Sequence, residues 1–189
     1  MRVVISGIPG VGKSTILDLV SKKSDYRIIN FGSLMFDIAK KETSINSRDD
    51  MRKLDIETQK HIQRLTSNEL GTMNNIIIDT HMSIKSPSGY FPGLPEWVLH
   101  ELNVSSFFLI ESKPEEIKKR RDSDKTRSRD SDTVEDIREH QEINRYYAAA
   151  YSVYSGATVN FICNQEGNPE IAADNIVMRL DYATETTTK

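Results

Sequence analysis

The chain has 189 residues, of which 37% are apolar and 28% charged, with a net charge of −3 at neutral pH. That length fits one domain with one sizeable core, and that composition excludes a disordered chain, which is poorer in apolar residues and higher in net charge. It also excludes a whole-chain electrostatic footprint for nucleic acid, and no run approaches the ~18 apolar residues of a membrane span.

The first segment, Arg2 to Ser6, is a short continuous apolar run. Strands buried on both faces read this way, and Ile76 to Asp79, Phe107 to Ile110 and Val159 to Cys163 repeat the pattern, with Tyr26 to Asn30 a weaker fifth. Helical patterns lie between them. Lys13 to Lys23 follows the first run, and the plain structural reading of Ser33 is the cap of a helix through Phe36 and Ile38. Arg48 to Leu70 reads as one long polar helix, with Met51, Leu54, Ile62 and Leu65 at helical spacing. Ser86 to Pro95 holds three prolines and two glycines and is expected to be a loop. Pro114 to Arg121 opens with a good first turn, Thr133 to Tyr154 has Thr133 as N-cap with Asp136 three residues on, and Glu170 to Leu180 closes the chain. Strands alternating with helices predict an α/β doubly wound parallel sheet with helices on both faces. The tail 181–189 is polar, Thr-rich and expected to fray. Cys163 is the only cysteine, which excludes an internal disulfide, and its apolar surroundings suggest a buried core thiol. The N-terminus enters a motif at once, so no leader and a cytoplasmic location are expected.

That motif is Gly7-Ile8-Pro9-Gly10-Val11-Gly12-Lys13-Ser14, followed by Thr15. It matches G-x-x-x-x-G-K-[ST] in full, after a strand and opening a helix. Glycines let backbone N–H groups approach phosphate oxygens, and the positive end of the helix adds to the field. Lys13 then neutralises the β- and γ-phosphates of ATP, and Ser14 is a ligand for Mg²⁺. Asp79, ending an apolar strand, is placed to hold the Mg²⁺ shell through water, against the plainer reading of a strand-end cap. His81 follows two residues later; a role at the site and a structural role stand about even.

Phosphate loops serve several classes. The sequence lacks the N-K-x-D-type guanine motif of a GTPase at Asn164-Gln165-Glu166-Gly167. The basic run Lys118, Lys119, Arg120, Arg121, Lys125, Arg127 and Arg129 suits a short lid over 121–132 that closes on bound phosphates. A solvated face with local ion pairs is the plain alternative, and Lys118, Lys119 and Lys125 are read that way. A phosphate-monoester acceptor has its second pKa near ~6 and needs no general base. No base is evident, although Asp37 and Asp49 remain open.

Over nearly its whole length the sequence resembles the archaeal-type adenylate kinases. The matching segments are Gly7 to Thr15, Asn30-Phe31-Gly32-Ser33, Arg48 to Leu54, Asp79-Thr80-His81, Pro87 to Pro95, Thr126 to Arg129 and Asn144-Arg145-Tyr146. The resemblance implies the reaction ATP + AMP = 2 ADP with Mg²⁺. It puts Asn30, Gly32, Ser33, Arg48 and His81 on the AMP side, with Arg52 supporting them. It gathers Arg120, Arg127, Arg129 and Arg145 around the transferring phosphate with Lys13. It also implies a sheet order 2-3-1-4-5 and a homotrimer. Tyr90, Phe91 and Trp97 are read as packing anchors before substrate contacts. Two alternatives stay open: a UMP or CMP kinase, and an adenylate-kinase-like ATPase acting on a ribosomal or other protein partner.

Overall fold

The computed structural model describes residues 1–123 and 132–187. Five strands form a parallel sheet in the order β2-β3-β1-β6-β7: β1 Arg2–Ser6, β2 Arg27–Asn30, β3 Ile76–Asp79, β6 Ser106–Glu111 and β7 Thr158–Cys163. Counting only these strands, the order is the 2-3-1-4-5 that the resemblance implied. The continuous apolar runs have a direct structural cause. Along β1, Val4 faces one core while Val3 and Ile5 face the other, and Ile76 and Ile78 oppose Ile77 in the same way along β3. With helices on both faces the inner strands β1, β3 and β6 leave no fully exposed residue, so alternation disappears there. Each such side chain contributes roughly 1.5–3 kcal/mol on burial.

One core lies under α2 Phe31–Glu42, α4 Ile56–Gly71, α5 Glu96–Leu102 and α7 Val134–Ser155, and includes Met35, Ile62, Leu99 and Tyr151. The other lies under α1 Lys13–Lys23, α6 Pro114–Ser123 and α8 Pro169–Thr187, and includes Ile16, Val20, Ile117 and Ile176. α7 begins as its sequence suggests: Thr133 accepts from the Asp136 N–H while Asp136 accepts from the Thr133 N–H, a reciprocal capping box.

Several expectations are corrected. Arg48 to Leu70 is two helices, α3 Arg48–Lys53 and α4. Leu54 turns extended at ψ 149°, and Asp55 caps the second helix by accepting from the Thr58 N–H at 2.9 Å. Ser33 is not the cap of α2; Asn30 is, and the Ser33 N–H donates to it. The stretch expected as a loop contains most of an antiparallel hairpin, β4 Ser83–Ser86 and β5 Gly89–Pro92, turning on Pro87-Ser88. Its prolines sit at the turn and at the strand end, where no ladder N–H is needed. α5 was not anticipated from the sequence. The closing helix is longer than expected: α8 runs on past Leu180 to Thr187. Cys163 is exposed, since β7 is an edge strand and it is the neighbouring Ile162 that turns into a core. Residues 121–123 of the expected lid belong to α6, and 124–131, with Lys125, Arg127 and Arg129, lie outside the described residues.

Candidate active site

The C-terminal ends of β1, β2 and β3 lie side by side, with Asp79 in register with both Ile5 and Asn30. Open parallel sheets bind ligands at this edge, where strand order reverses. Residues 7–12 leave β1 here and turn into α1. Ile8 and Val11 bury their side chains under the loop, which fixes it from below. Gly12 sits at φ 93°, in the left-handed region, and an added Cβ would stand 2.4 Å from Asn164 Nδ2. Glycine is therefore required twice over, for conformation and for space. Gly12 is also the N-cap of α1 and offers no side-chain cap, so the first-turn N–H groups are left to a ligand. Ser14 and Thr15 are exposed on that first turn.

Lys13 folds back along the loop. Its Nζ donates to Asp79 Oδ1 and to the Thr80 carbonyl oxygen, the latter at 3.3 Å. Both side chains of the Lys13–Asp79 pair are largely withdrawn from water, at 15% and 18% exposure. Asp79 Oδ2 accepts from Asn30 Nδ2 at 2.9 Å. Asn30 Oδ1 in turn accepts from the Ser33 N–H and hydroxyl at 2.9 and 3.0 Å, and Ser33 Oγ accepts from Arg48 Nη2 at 2.8 Å. One polar chain thus runs from Lys13 through Asp79, Asn30 and Ser33 to Arg48. Gly32 lies beside it; a Cβ there would make only an ordinary contact with Asn30 Oδ1.

His81 follows Asp79 on the segment leading into the hairpin. Loss of hydration among surrounding atoms, then the Lys13 charge, lower its pKa, against the opposing pull of Asp79. The neutral imidazole is favoured, and it places no extra cation beside Lys13. The backbone here is pinned: a Cβ on Gly93 would stand 2.0 Å from the His81 carbonyl oxygen.

Two arginines reach the loop from α6. Arg120 Nη1 donates to the Val11 carbonyl at 3.2 Å, while its Nε and Nη2 hold Glu166. Arg121 Nε donates to the Pro9 carbonyl at 2.8 Å, and Nη1 to Asp132 Oδ2 at 2.6 Å. Arg121 and Asn164 were not singled out from the sequence. Arg121 is one cation in a dense basic run, and nothing in the run distinguishes it. Asn164 carries no motif, yet it is 4% exposed and its Nδ2 donates to the Val11 carbonyl at 2.7 Å. Its Oδ1 has no hydrogen-bond partner among the described residues.

Arg145 is not brought into this group. Its Nε and Nη2 hold both oxygens of Glu111 at 2.6 and 2.5 Å, and its guanidinium lies 5.0 Å from the Phe161 ring at the sheet edge. Arg52 makes an exposed helical pair with Asp49, of the kind that contributes little. Of the three aromatic residues, Trp97 packs on the core and donates to Gln63 at 2.9 Å, and Tyr90 stacks near His140. Phe91 is 56% exposed and lies opposite Ile84 in the hairpin.

Comparison with known proteins decides the family. Residues 6–138 match the family model described as AAA domain. The chain is 56% identical to an adenylate kinase of Thermoplasma volcanium, over 94% of this chain and 98% of the relative. It is 57% identical to the adenylate kinase of Thermoplasma acidophilum, over 94% and 97%. This chain belongs to the adenylate kinases. It is therefore a phosphotransferase, and its loop, Lys13 and the polar chain to Arg48 sit on the P-loop kinase fold expected of that family. A further relative, the adenylate kinase of Methanocaldococcus jannaschii, is 46% identical over 87% of this chain and 90% of its own. Among solved structures, a shikimate kinase from Bacteroides thetaiotaomicron aligns with a TM-score of 0.61 at 13% identity, covering 96% of this chain and 98% of that one. That likeness speaks to the fold alone.

Proposed function

We infer that this adenylate kinase carries ATP on the Gly7–Thr15 loop and AMP beside Asn30, Gly32, Ser33, Arg48 and His81, and moves one phosphoryl group between them to give two ADP. The observation that carries the reading is the polar chain from Lys13 to Arg48. It joins the donor loop to the acceptor side through Asp79, so both substrates meet at one carboxylate.

Lys13 pairs with Asp79 in the free enzyme. A bound triphosphate offers the ammonium a stronger partner, and the lysine then follows the charge that develops in the transition state. Arg48 grips the acceptor phosphate as it leaves Ser33 Oγ, and bidentate guanidinium suits that group better than ammonium. The acceptor arrives ionised, with a second pKa near ~6, so no proton has to be removed. Catalysis is then positioning and charge neutralisation. Arg120 belongs to the same proposal on the donor side, and so do Arg127 and Arg129, outside the described residues, and Arg145.

Mg²⁺ fits the donor set: Asp79 is a largely buried carboxylate already holding a cation, and Ser14 is exposed at the start of α1. These are hard oxygen donors. Ser14 and, through water, Asp79 would hold the ion, which supplies charge neutralisation on the phosphate oxygens. We read residues 1–189 as one kinase domain with a short lid near 121–132, and its location as cytoplasmic. Among the described residues no helix is long and apolar enough to cross a membrane. The homotrimer remains part of the proposal, supported by exposed apolar side chains along α7 and β7, namely Tyr146, Val153 and Phe161 at 67%, 89% and 50%. Sedimentation tests it.

The reaction is tested by incubating the enzyme with Mg²⁺ and ADP alone. Equal amounts of ATP and AMP are expected. ADP left unchanged, with UMP or CMP phosphorylated by ATP instead, replaces AMP as the acceptor. ATP hydrolysis indifferent to AMP replaces the kinase reaction with an ATPase.

A further inference from the structure

Between the donor loop and the β4–β5 hairpin lies a group of charges that the mechanism above does not use. Asp132 precedes the cap of α7 and faces two cations with its two oxygens. Oδ2 accepts from Arg121 at 2.6 Å and Oδ1 from Lys85, on β4, at 3.1 Å. Lys85 also donates to Asp136 at 3.1 Å. The Arg121 side chain is only 8% exposed and Asp132 25%, so this is not a solvated surface pair. Charge pairs withdrawn from water are screened less and couple more strongly. Beyond Asp132, Arg121 spends its Nε on the Pro9 carbonyl of the phosphate loop.

We propose that Asp132 is a positioning residue of the donor site, holding Arg121 against the phosphate loop and, through Lys85, tying that arginine to the β4–β5 hairpin. The guanidinium is planar and its donors diverge, so each partner in a different direction narrows the orientations open to its plane. Among the described residues Pro9 supplies one such direction and Asp132 another. Lys85 sets Asp132 in its turn, because an aspartate between two cations has its carboxylate plane fixed from both sides. The hairpin is itself bolted to α7: Tyr147 donates to the Tyr90 carbonyl at 2.8 Å, and Ser83 to Asn144 Oδ1 at 2.6 Å. The relay therefore rests on two rigid elements. Through it a residue far from ATP in the chain sets how the donor site presents an arginine.

The test rests on the kinase reading but can fail separately from it. KM for ATP, KM for AMP and kcat are measured for Asp132→Asn, Asp132→Glu, Lys85→Met and the double variant, with melting temperatures. ATP affinity is measured by calorimetry without AMP. Asp132→Asn is expected to raise KM for ATP and its dissociation constant at least about five-fold, with KM for AMP and the melting temperature near those of the parent. Asp132→Glu is expected to recover most of that loss. Lys85→Met is expected to raise KM for ATP by a smaller factor, and the double variant to equal Asp132→Asn alone, because both act along one line. ATP affinity within about two-fold of the parent in Asp132→Asn overturns the proposal, as do additive effects in the double variant. So does a parallel rise in both KM values with a lowered melting temperature, the mark of a purely structural pair. An inactive parent whose ATP affinity still responds to Asp132→Asn would sink the kinase reading and leave this one standing.

Discussion

The two halves of the site are built to different standards. The donor loop is held from three sides: Ile8 and Val11 are buried under it, and its carbonyls at Pro9 and Val11 take hydrogen bonds from Arg121, Arg120 and Asn164. The acceptor side is held by little. Arg48 opens α3, a six-residue helix with no buried residue, and its link to Ser33 is exposed. Few buried contacts and exposed hydrogen bonds mark an element of low local stability. On the proposed assignment the phosphate loop is set before its substrate arrives, and the Arg48 side is the one expected to order around its substrate. The difference fits a reaction in which a triphosphate needs a fixed cradle and a monophosphate must be enclosed.

The largest effect expected from breaking that contrast is at Lys13. Lys13→Met should lower kcat by roughly 10²–10³-fold, because the missing charge counts most in the transition state. The melting temperature should move less than kcat, since the carboxylate it leaves keeps its hydrogen bond from Asn30. Turnover of ADP, followed by chromatography, checks it; an undamaged kcat removes the lysine from the chemistry.

Next comes the rigidity of the cradle itself. Gly12→Ala forces a left-handed φ of 93° on a residue with a Cβ, and drives that Cβ into Asn164 Nδ2. The strain alone is worth ~1–3 kcal/mol. Here stability and ATP affinity should fall together, unlike at Lys13, and thermal unfolding with and without ATP shows it. A variant with the parent's melting temperature would mean the loop is softer than its contacts suggest.

On the proposed acceptor side, Arg48→Ala should raise KM for AMP by about ten- to a hundred-fold, in line with losing a charge-assisted hydrogen bond of ~1.5–3 kcal/mol. KM for ATP and the melting temperature should stay near the parent values, because Arg48 is exposed at the start of α3 and its bond to Ser33 is exposed too. Equal changes in both KM values would show that the two halves are not separable.

The same contrast explains what could be read from the sequence. The donor loop was legible because its chemistry is contiguous: eight consecutive residues carry the whole pattern between a strand and a helix. The sheet was legible because strands covered on both faces leave continuous apolar runs, as at Ile76-Ile77-Ile78. The chain Asp79–Asn30–Ser33–Arg48 was legible in part through family resemblance, yet its joints depend on strand register, which no local pattern carries. Arg121 and Asn164 were missed because each acts on a carbonyl more than a hundred residues away. The long helix at Arg48 failed for a local reason: its apolar spacing continues smoothly across Leu54, while Asp55 competes for the backbone as a cap. The hairpin failed because proline and glycine content marks turns without saying whether strands flank them.

The smallest effect expected lies outside the site, at the start of α7, where Asp136 closes the capping box and also accepts from Lys85. The Thr133 hydroxyl, then the Thr133 N–H and Lys85, pull its pKa down from 3.8 to about 2. A folded-state pKa below the unfolded value means that the unfolded chain binds more protons in between. The stability that Asp136 contributes is therefore complete above pH 3.8 and drains away as the pH falls through about 2. Melting temperatures taken in steps from neutral pH down to about 2 should separate the parent from Asp136→Asn at the top of that range. The two curves should converge across its lower end. If they run parallel instead, the carboxylate's charge plays no part in holding α7, and the Lys85 side of the relay depends on Asp132 alone.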